Sequence, residues 1–205
     1  MFGLDKKEMS ILRLLKTPRK IQDFLEEIPI NFEPEGDTCL SPRRVLRERR
    51  AHCIEGAMLA ALALRIQGER PLVLDLEASA QDHDHVIALF KRHGCWGAIS
   101  KTNHAVLRYR EPVYKTIREL VLSFFHEYMD GTGKKTLRSF SPPVDLSRFD
   151  EIGWMTSEEN VWEIAQYLAD IRHSPLLSLA QIRTLRKADA LEIEAGNLTQ
   201  WKNKK

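Results

Sequence analysis

The chain has 205 residues, of which 43% are hydrophobic and 29% charged, enough apolar material for the core of one domain and too much for a disordered tail. Lys plus Arg number 31 and Asp plus Glu 29, for a net charge of +2, which argues against a globally basic nucleic-acid binder. Three cysteines, Cys39, Cys53 and Cys95, are too few and too odd in number for a disulfide framework, so a reducing compartment is expected.

In the opening MFGLDKKEMSILRLLK, charges interrupt every apolar run, so no signal-peptide core is present. The longest low-charge stretch, Gly56 to Ile66, is broken by Arg65. It falls short of the roughly 20 apolar residues a bilayer requires. A cytoplasmic protein that does not enter a membrane is expected.

Residues 8–16 place Met9, Ile11, Leu12, Leu14 and Leu15 on an amphipathic helix. Thr17-Pro18 offers an N-cap with Pro at the first helical position, and Ile21, Phe24, Leu25 and Ile28 follow at helical spacing up to Pro29. Residues 31–42 (NFEPEGDTCLSP) read as an acidic loop, and PRRVLRERR as a short helix with five Arg against one Glu. A solvated face pairing with that loop explains the basic helix better than a phosphate or nucleic-acid contact.

Residues 53–67 (CIEGAMLAALALRIQ) are helical by length and composition and apolar almost all round, so this helix belongs in the core; Gly68 suits its C-terminal turn. Alternation then predicts strands at 71–78, 85–90 and 95–100, the last two joined by the turn KRHG, with 104–110 as a candidate fourth. Helices are expected at 113–128, at 158–171 and from Pro175 to about Ala195, with 141–154 irregular and GNLTQWKNKK a frayed polar tail.

Cys53 falls where the basic segment ends and the buried helix begins. Free N–H groups and partial positive charge at a helix start favour thiolate over thiol, and the same donors can hold an oxyanion. A thiolate nucleophile needs a proton carrier, normally His. Of His52, His83, His85, His93, His104, His126 and His173, His85 is the best candidate, because it begins an otherwise apolar strand and shares a face with Ile87 and Leu89. A polar group there requires a partner.

Register parity supplies the partner. With a four-residue turn His85 opposes Ser100; with a two-residue turn, His93-Gly94, it opposes Thr102 and Ser100 is its diagonal neighbour. Both put Ser100 on the face of His85, whereas a three-residue loop would aim Lys101 there. A zinc site from Cys53, His83, His85, His93 and Cys95 lacks a C-x-x-C pair and is set aside. Arg108, Tyr109, Arg110, Lys101 and Lys115 form a basic and aromatic stretch, read first as a solvated strand edge and second as an anchor for an anionic group.

Over residues 40–105 the sequence resembles the transglutaminase-like superfamily, which shares the papain-type cysteine core. The resemblance rests on Cys-x-x-Gly-Ala-x-x-x-Ala-x-x-x-Arg-x-x-Gly (CIEGAMLAALALRIQG), on the strand His85, and on Gly94-Cys95-Trp96. It implies Cys53 as nucleophile and His85 as general base. It also implies an Asp about four residues after the strand tryptophan, where this chain has Ser100, and aromatics after Cys and His, where it has Ile54 and Val86. Ser100 accepts a hydrogen bond but adds no charge. Asn103, Asp82 and Asp84 are alternative orienting groups, Asp84 being turned to the opposite face.

The expectation is therefore an α+β fold: N-terminal helices and the cysteine-bearing helix on an antiparallel sheet, with added C-terminal helices. Residues 1–155 would form the transglutaminase-like core and 156–205 a helical extension packed on it. The expected activity is an amide hydrolase or acyltransferase using Cys53, His85 and Ser100, with Asn103 and Arg108 near a peptide, amide or protein substrate and no cofactor or metal. The competing expectation is an inactive scaffold on the same fold.

Overall fold

The computed structural model describes residues 2–203. Three short helices open the chain: α1 (Lys6–Leu14), α2 (Pro18–Glu26) and α3 (Pro42–Glu48). Asp5 caps α1 in a reciprocal box with Glu8, Thr17 caps α2, and Ser41 caps α3. The long α4 (Cys53–Ile66) follows, buried without a break from Ile54 to Leu64, as its uniformly apolar sequence requires.

The sheet begins with β1 (Leu72–Ala78), β2 (His85–Arg92) and β3 (Cys95–Ser100). Arg92 pairs with Cys95, so the β2–β3 turn is the two-residue His93-Gly94, with φ of 51° and 77°. Both values are positive, as a primed hairpin turn demands. After β4 (Arg110–Tyr114), α5 (Ile117–Phe125) and β5 (Leu137–Phe140), the short β6 (Val144–Asp145) leads into a 3₁₀ helix, Leu146–Ile152. The chain ends with α6 (Trp162–Asp170), β7 (Ser174–Pro175), α7 (Leu179–Arg183) and α8 (Ala190–Asn197). All strand pairs are antiparallel, in the order β4-β3-β2-β1-β5-β7 with β6 also on β1, so the fold is α+β.

Strand alternation splits the core in two. Val73, Val86, Ala88, Phe90 and Ile99 pack under α4 with the N-terminal helices and α6. Leu74, Leu76, Ile87, Leu89 and Ala98 pack on α5 through Leu120, Val121 and Phe124. The segment after residue 155 joins both layers: Ile164 and Leu168 enter the first, Leu176 the second, and β7 adds a strand to β5.

Several expected elements move. The fourth strand is 110–114 rather than 104–110, and the helix expected from 113 starts at Ile117, because Thr116 and Glu119 form a capping box there. Part of the stretch read as irregular is β6, and β6 and β7, two residues each, are too short to leave a periodic signal. The last expected helix is two, the second started by the Asp189–Glu192 capping box. The tail is tied down: Ala105 N–H bonds the Leu198 carbonyl, and Asn103 exchanges two hydrogen bonds with the Trp201 backbone, at 2.8 and 3.0 Å. Residues 204 and 205 of that tail lie outside the described residues. The basic helix pairs with Glu8, Glu48 and Glu158, not with the acidic loop before it. No helix among the described residues is long and apolar enough to cross a membrane.

One contact sets how closely α4 approaches β3. A Cβ on Gly56 would stand 2.5 Å from the Lys101 Cβ and 2.9 Å from its Cγ. The first of these is fixed to the strand backbone, so a methyl group cannot be absorbed by a rotamer change. Gly56→Ala is expected to destabilise the fold by about 1–3 kcal/mol, read as a lowered thermal midpoint, whereas Gly131→Ala, with open space around it, leaves the midpoint in place.

Candidate active site

The approach to Cys53 is built by backbone pairing and one buried carboxylate. Asn31 N–H bonds the Ala51 carbonyl and Ala51 N–H the Pro29 carbonyl, holding residues 29–31 beside 51. His52 then sits extended as the N-cap, and Cys53 is the first helical residue. Glu55, fully buried, accepts from His52 N–H (2.9 Å), Leu40 N–H (2.9 Å), the Thr38 hydroxyl (2.7 Å) and the Asn31 amide (3.1 Å). A buried carboxylate requires such partners. Here they tie loop 31–40 across the helix start. First-turn N–H groups have no intrahelical acceptor, so the donors beside Cys53 face outward from α4.

His85 opens β2 opposite Leu76, and Ser100 ends β3 opposite Ile87. The two-residue turn thus makes Ser100 the diagonal neighbour of His85 on one face, and His85 Nε2 lies 2.8 Å from Ser100 Oγ. Ser100 Oγ also donates its only proton to the Leu107 carbonyl, at 2.5 Å. It can therefore only accept from His85. Nε2 must carry a hydrogen, so Nδ1 is the nitrogen left to exchange a proton with a neighbour. Gln22, from α2, fixes the Ser100 backbone by accepting from its N–H and donating to its C=O, both at 2.9 Å.

Lys101 points to the other face. Its buried ammonium donates to the Leu25 carbonyl at 2.9 Å and to that of Ile28, closing the end of α2. Desolvation pushes it down to about 8.

Two imidazoles, His52 and His85, act on the Cys53 thiol. Burial alone would push its pKa up; the hydrogen bonds and charges of the two rings outweigh that and bring it down to about 5. Burial pushes Cys39 in the opposite direction, up to about 12, with the Glu55 charge adding to the effect. Its sulfur donates to the Val161 carbonyl at 3.4 Å, as a core residue. Cys53 is half-buried, whereas Cys39 and Cys95 are buried. Behind the site, His173 Nε2 lies 3.0 Å from the Asp75 carboxylate, whose pKa burial and the Asp84 charge push up.

A pocket of about 370 Å³ lies beside the imidazole of His85, lined in part by Asp82, Asp84, His104, Tyr128 and Asn197. His85 is common to the pocket and the thiol cluster; Cys53 is not part of the lining. The structure thus brings His85 and Ser100 together, and Cys53, at the start of α4, senses the His85 ring. Asn103 spends both amide atoms on Trp201, and Arg108 contacts the His104 carbonyl, Glu26 and Gln200. Asp84 accepts from the Ala78 N–H and Asp82 from the Thr136 hydroxyl. Among the described residues no His, Cys, Asp and Glu cluster is arranged to hold a metal.

Sequence reasoning missed His52, Glu55, Gln22 and the Leu107 carbonyl. His52 had a signal, its adjacency to Cys53; Gln22 lies 78 residues from its partner and had none. Compared with family models and with curated proteins, the sequence gives no match.

Asn103 and Trp201 hold the C-terminal segment against the pocket, since Gly196 and Asn197 line it. Asn103→Ala removes two hydrogen bonds, together worth about 1–2 kcal/mol. Amide hydrogen exchange over residues 190–200 should then quicken about tenfold while exchange in α4 stays unchanged.

Proposed function

We propose that the protein is a transglutaminase-like thiol enzyme, an amide hydrolase or acyltransferase with Cys53 as nucleophile and His85 as base. The observation that carries this reading is the pairing of His85 Nε2 with Ser100 Oγ at 2.8 Å. Ser100, with its proton committed to Leu107, accepts from Nε2 and leaves Nδ1 to take the thiol proton. The depressed thiol pKa of about 5 supports the same reading.

In the reaction, Nδ1 of His85 takes the Cys53 proton and the thiolate attacks the amide carbon. The C–S bond forms as the carbonyl electrons move onto oxygen, which first-turn N–H groups of α4 stabilise. On collapse the C–N bond breaks and the leaving nitrogen takes the proton from His85. The acyl-enzyme then passes to water or an amine, with His85 again as base. The substrate is a peptide, amide or protein that presents an acyl group to this cleft. All three cysteines are free thiols, as suits the cytoplasm.

One observation favours the second reading, a scaffold on the same fold: Ser100 puts no negative charge behind His85.

The two readings separate on the intact protein. If it is an enzyme, iodoacetamide at pH 7 alkylates Cys53 at least about a hundredfold faster than Cys39 or Cys95, by mass-spectrometric mapping. Transfer from a glutaminyl peptide library to a fluorescent amine or water falls about a hundredfold or more in His85→Ala and about tenfold in Ser100→Ala. Equal, slow labelling of all three cysteines favours the scaffold.

A further inference from the structure

The thiol cluster contains an imidazole that the mechanism above does not use. His52 Nε2 faces acceptors only: the Thr38 carbonyl at 2.9 Å, Glu55 Oε1 at 3.3 Å and Glu33 Oε1 at 3.5 Å. That nitrogen must carry a hydrogen. His52 is the N-cap and Cys53 the first residue of α4, so the ring and the sulfur stand on adjacent residues at the helix start, and the ring senses the thiol. His52 is thus bracketed by two carboxylates on one side and a thiol on the other. His85 is backed only by a neutral hydroxyl. The two rings beside the sulfur have unequal electrostatic surroundings, and the charge sits behind the ring that sequence reasoning passed over.

We infer that His52, backed by Glu55 and Glu33, is a second catalytic residue: a standing imidazolium that holds Cys53 as thiolate while His85 alone shuttles protons. The assignment rests on the reading of Cys53 as a nucleophile. In the cycle His52 keeps both ring protons throughout, and no bond to it forms or breaks. It stabilises the anionic sulfur before attack and again when the acyl group leaves, at both points where negative charge resides on Cys53. This arrangement answers the uncharged Ser100. The carboxylates that would strengthen an imidazolium stand behind His52 instead of behind His85.

The polar groups around His52 oppose the effect of its burial. Desolvation disfavours its cation, but the Cys53 hydrogen bond and charge, the Glu55 carboxylate and the Thr38 carbonyl outweigh it and raise its pKa to about 9. Around Cys53 itself, the other titratable groups that sense its charge are Cys39 from the loop, Asp75 from β1 and Tyr128 after α5. A thiolate is disfavoured by an ionised Asp75, so a standing cation next to the sulfur has something to overcome.

The test is the pH profile of Cys53 alkylation by iodoacetamide, from pH 4 to 9, on the full chain, with far-ultraviolet dichroism to confirm folding. The expected wild-type profile has its midpoint near 5. His52→Gln should move the midpoint up by at least about one unit and lower the rate at pH 6 about tenfold or more. His52→Lys retains a cation that cannot shuttle protons near neutrality, and should recover most of that rate. Glu33→Gln keeps an oxygen for the Thr38 N–H, which Glu33 now accepts at 2.7 Å, and should move the midpoint in the same direction by less. Should His52→Gln not fold, His52→Lys and Glu33→Gln decide the matter. A wild-type midpoint retained in Glu33→Gln, or a His52→Lys variant as impaired as one lacking the ring, overturns the role. So does a His52→Gln profile superimposed on wild type while Cys53 still outpaces Cys39. A wild-type Cys53 no faster than Cys39 overturns the nucleophile reading, and the standing imidazolium with it.

Discussion

The start of α4 has to stand against the ends of β2 and β3, and a glycine permits it. Gly56 has no Cβ where Lys101 Cβ would be 2.5 Å away. Lys101 in turn closes the C-terminal end of α2, and Gln22 of α2 clamps the Ser100 backbone. One close approach thereby couples the helix that carries the sulfur, the strand end that carries the hydroxyl, and the N-terminal helix that fixes the hydroxyl. The geometry at the site follows from this packing, completed by loop 31–40 over the helix start and by the Leu107 carbonyl on Ser100.

Burial costs dominate the electrostatics of the same region. Glu55, Lys101, His85 and Asp75 are all buried, and each is held in orientation by hydrogen bonds. Two cysteines in one fold illustrate the effect of surroundings. Cys39, buried beside a carbonyl and a carboxylate, is pushed up; Cys53, at a helix start between two imidazoles, is pulled down. Their different chemistry needs no difference in residue type.

Much of the architecture was legible in the sequence because it rests on local rules. The Thr17-Pro18 and Ser41-Pro42 helix starts, the apolar α4 and the three alternating strands appear where spacing and capping place them. Side-chain parity puts Ser100 on the face of His85 for a two- or a four-residue turn alike, and the two-residue turn makes the arrangement diagonal. What stayed hidden depends on partners far along the chain. The two-residue strands β6 and β7, the Gln22 clamp and the tail lashed to Asn103 leave no periodic trace. Asn103, a plausible orienting amide by position, is spent on the tail. The charge near the sulfur comes from Glu55 and Glu33 through His52, a relation visible only once loop 31–40 folds over the helix start.

The state of the sulfur can be observed without any substrate. Thiolate absorbs near 240 nm and thiol does not, so the difference spectrum between the wild-type protein and Cys53→Ser, followed from pH 4 to 10, isolates this one group. The account predicts a single sulfur titrating near 5. An inflection at the ordinary thiol value of about 8.5 would contradict it.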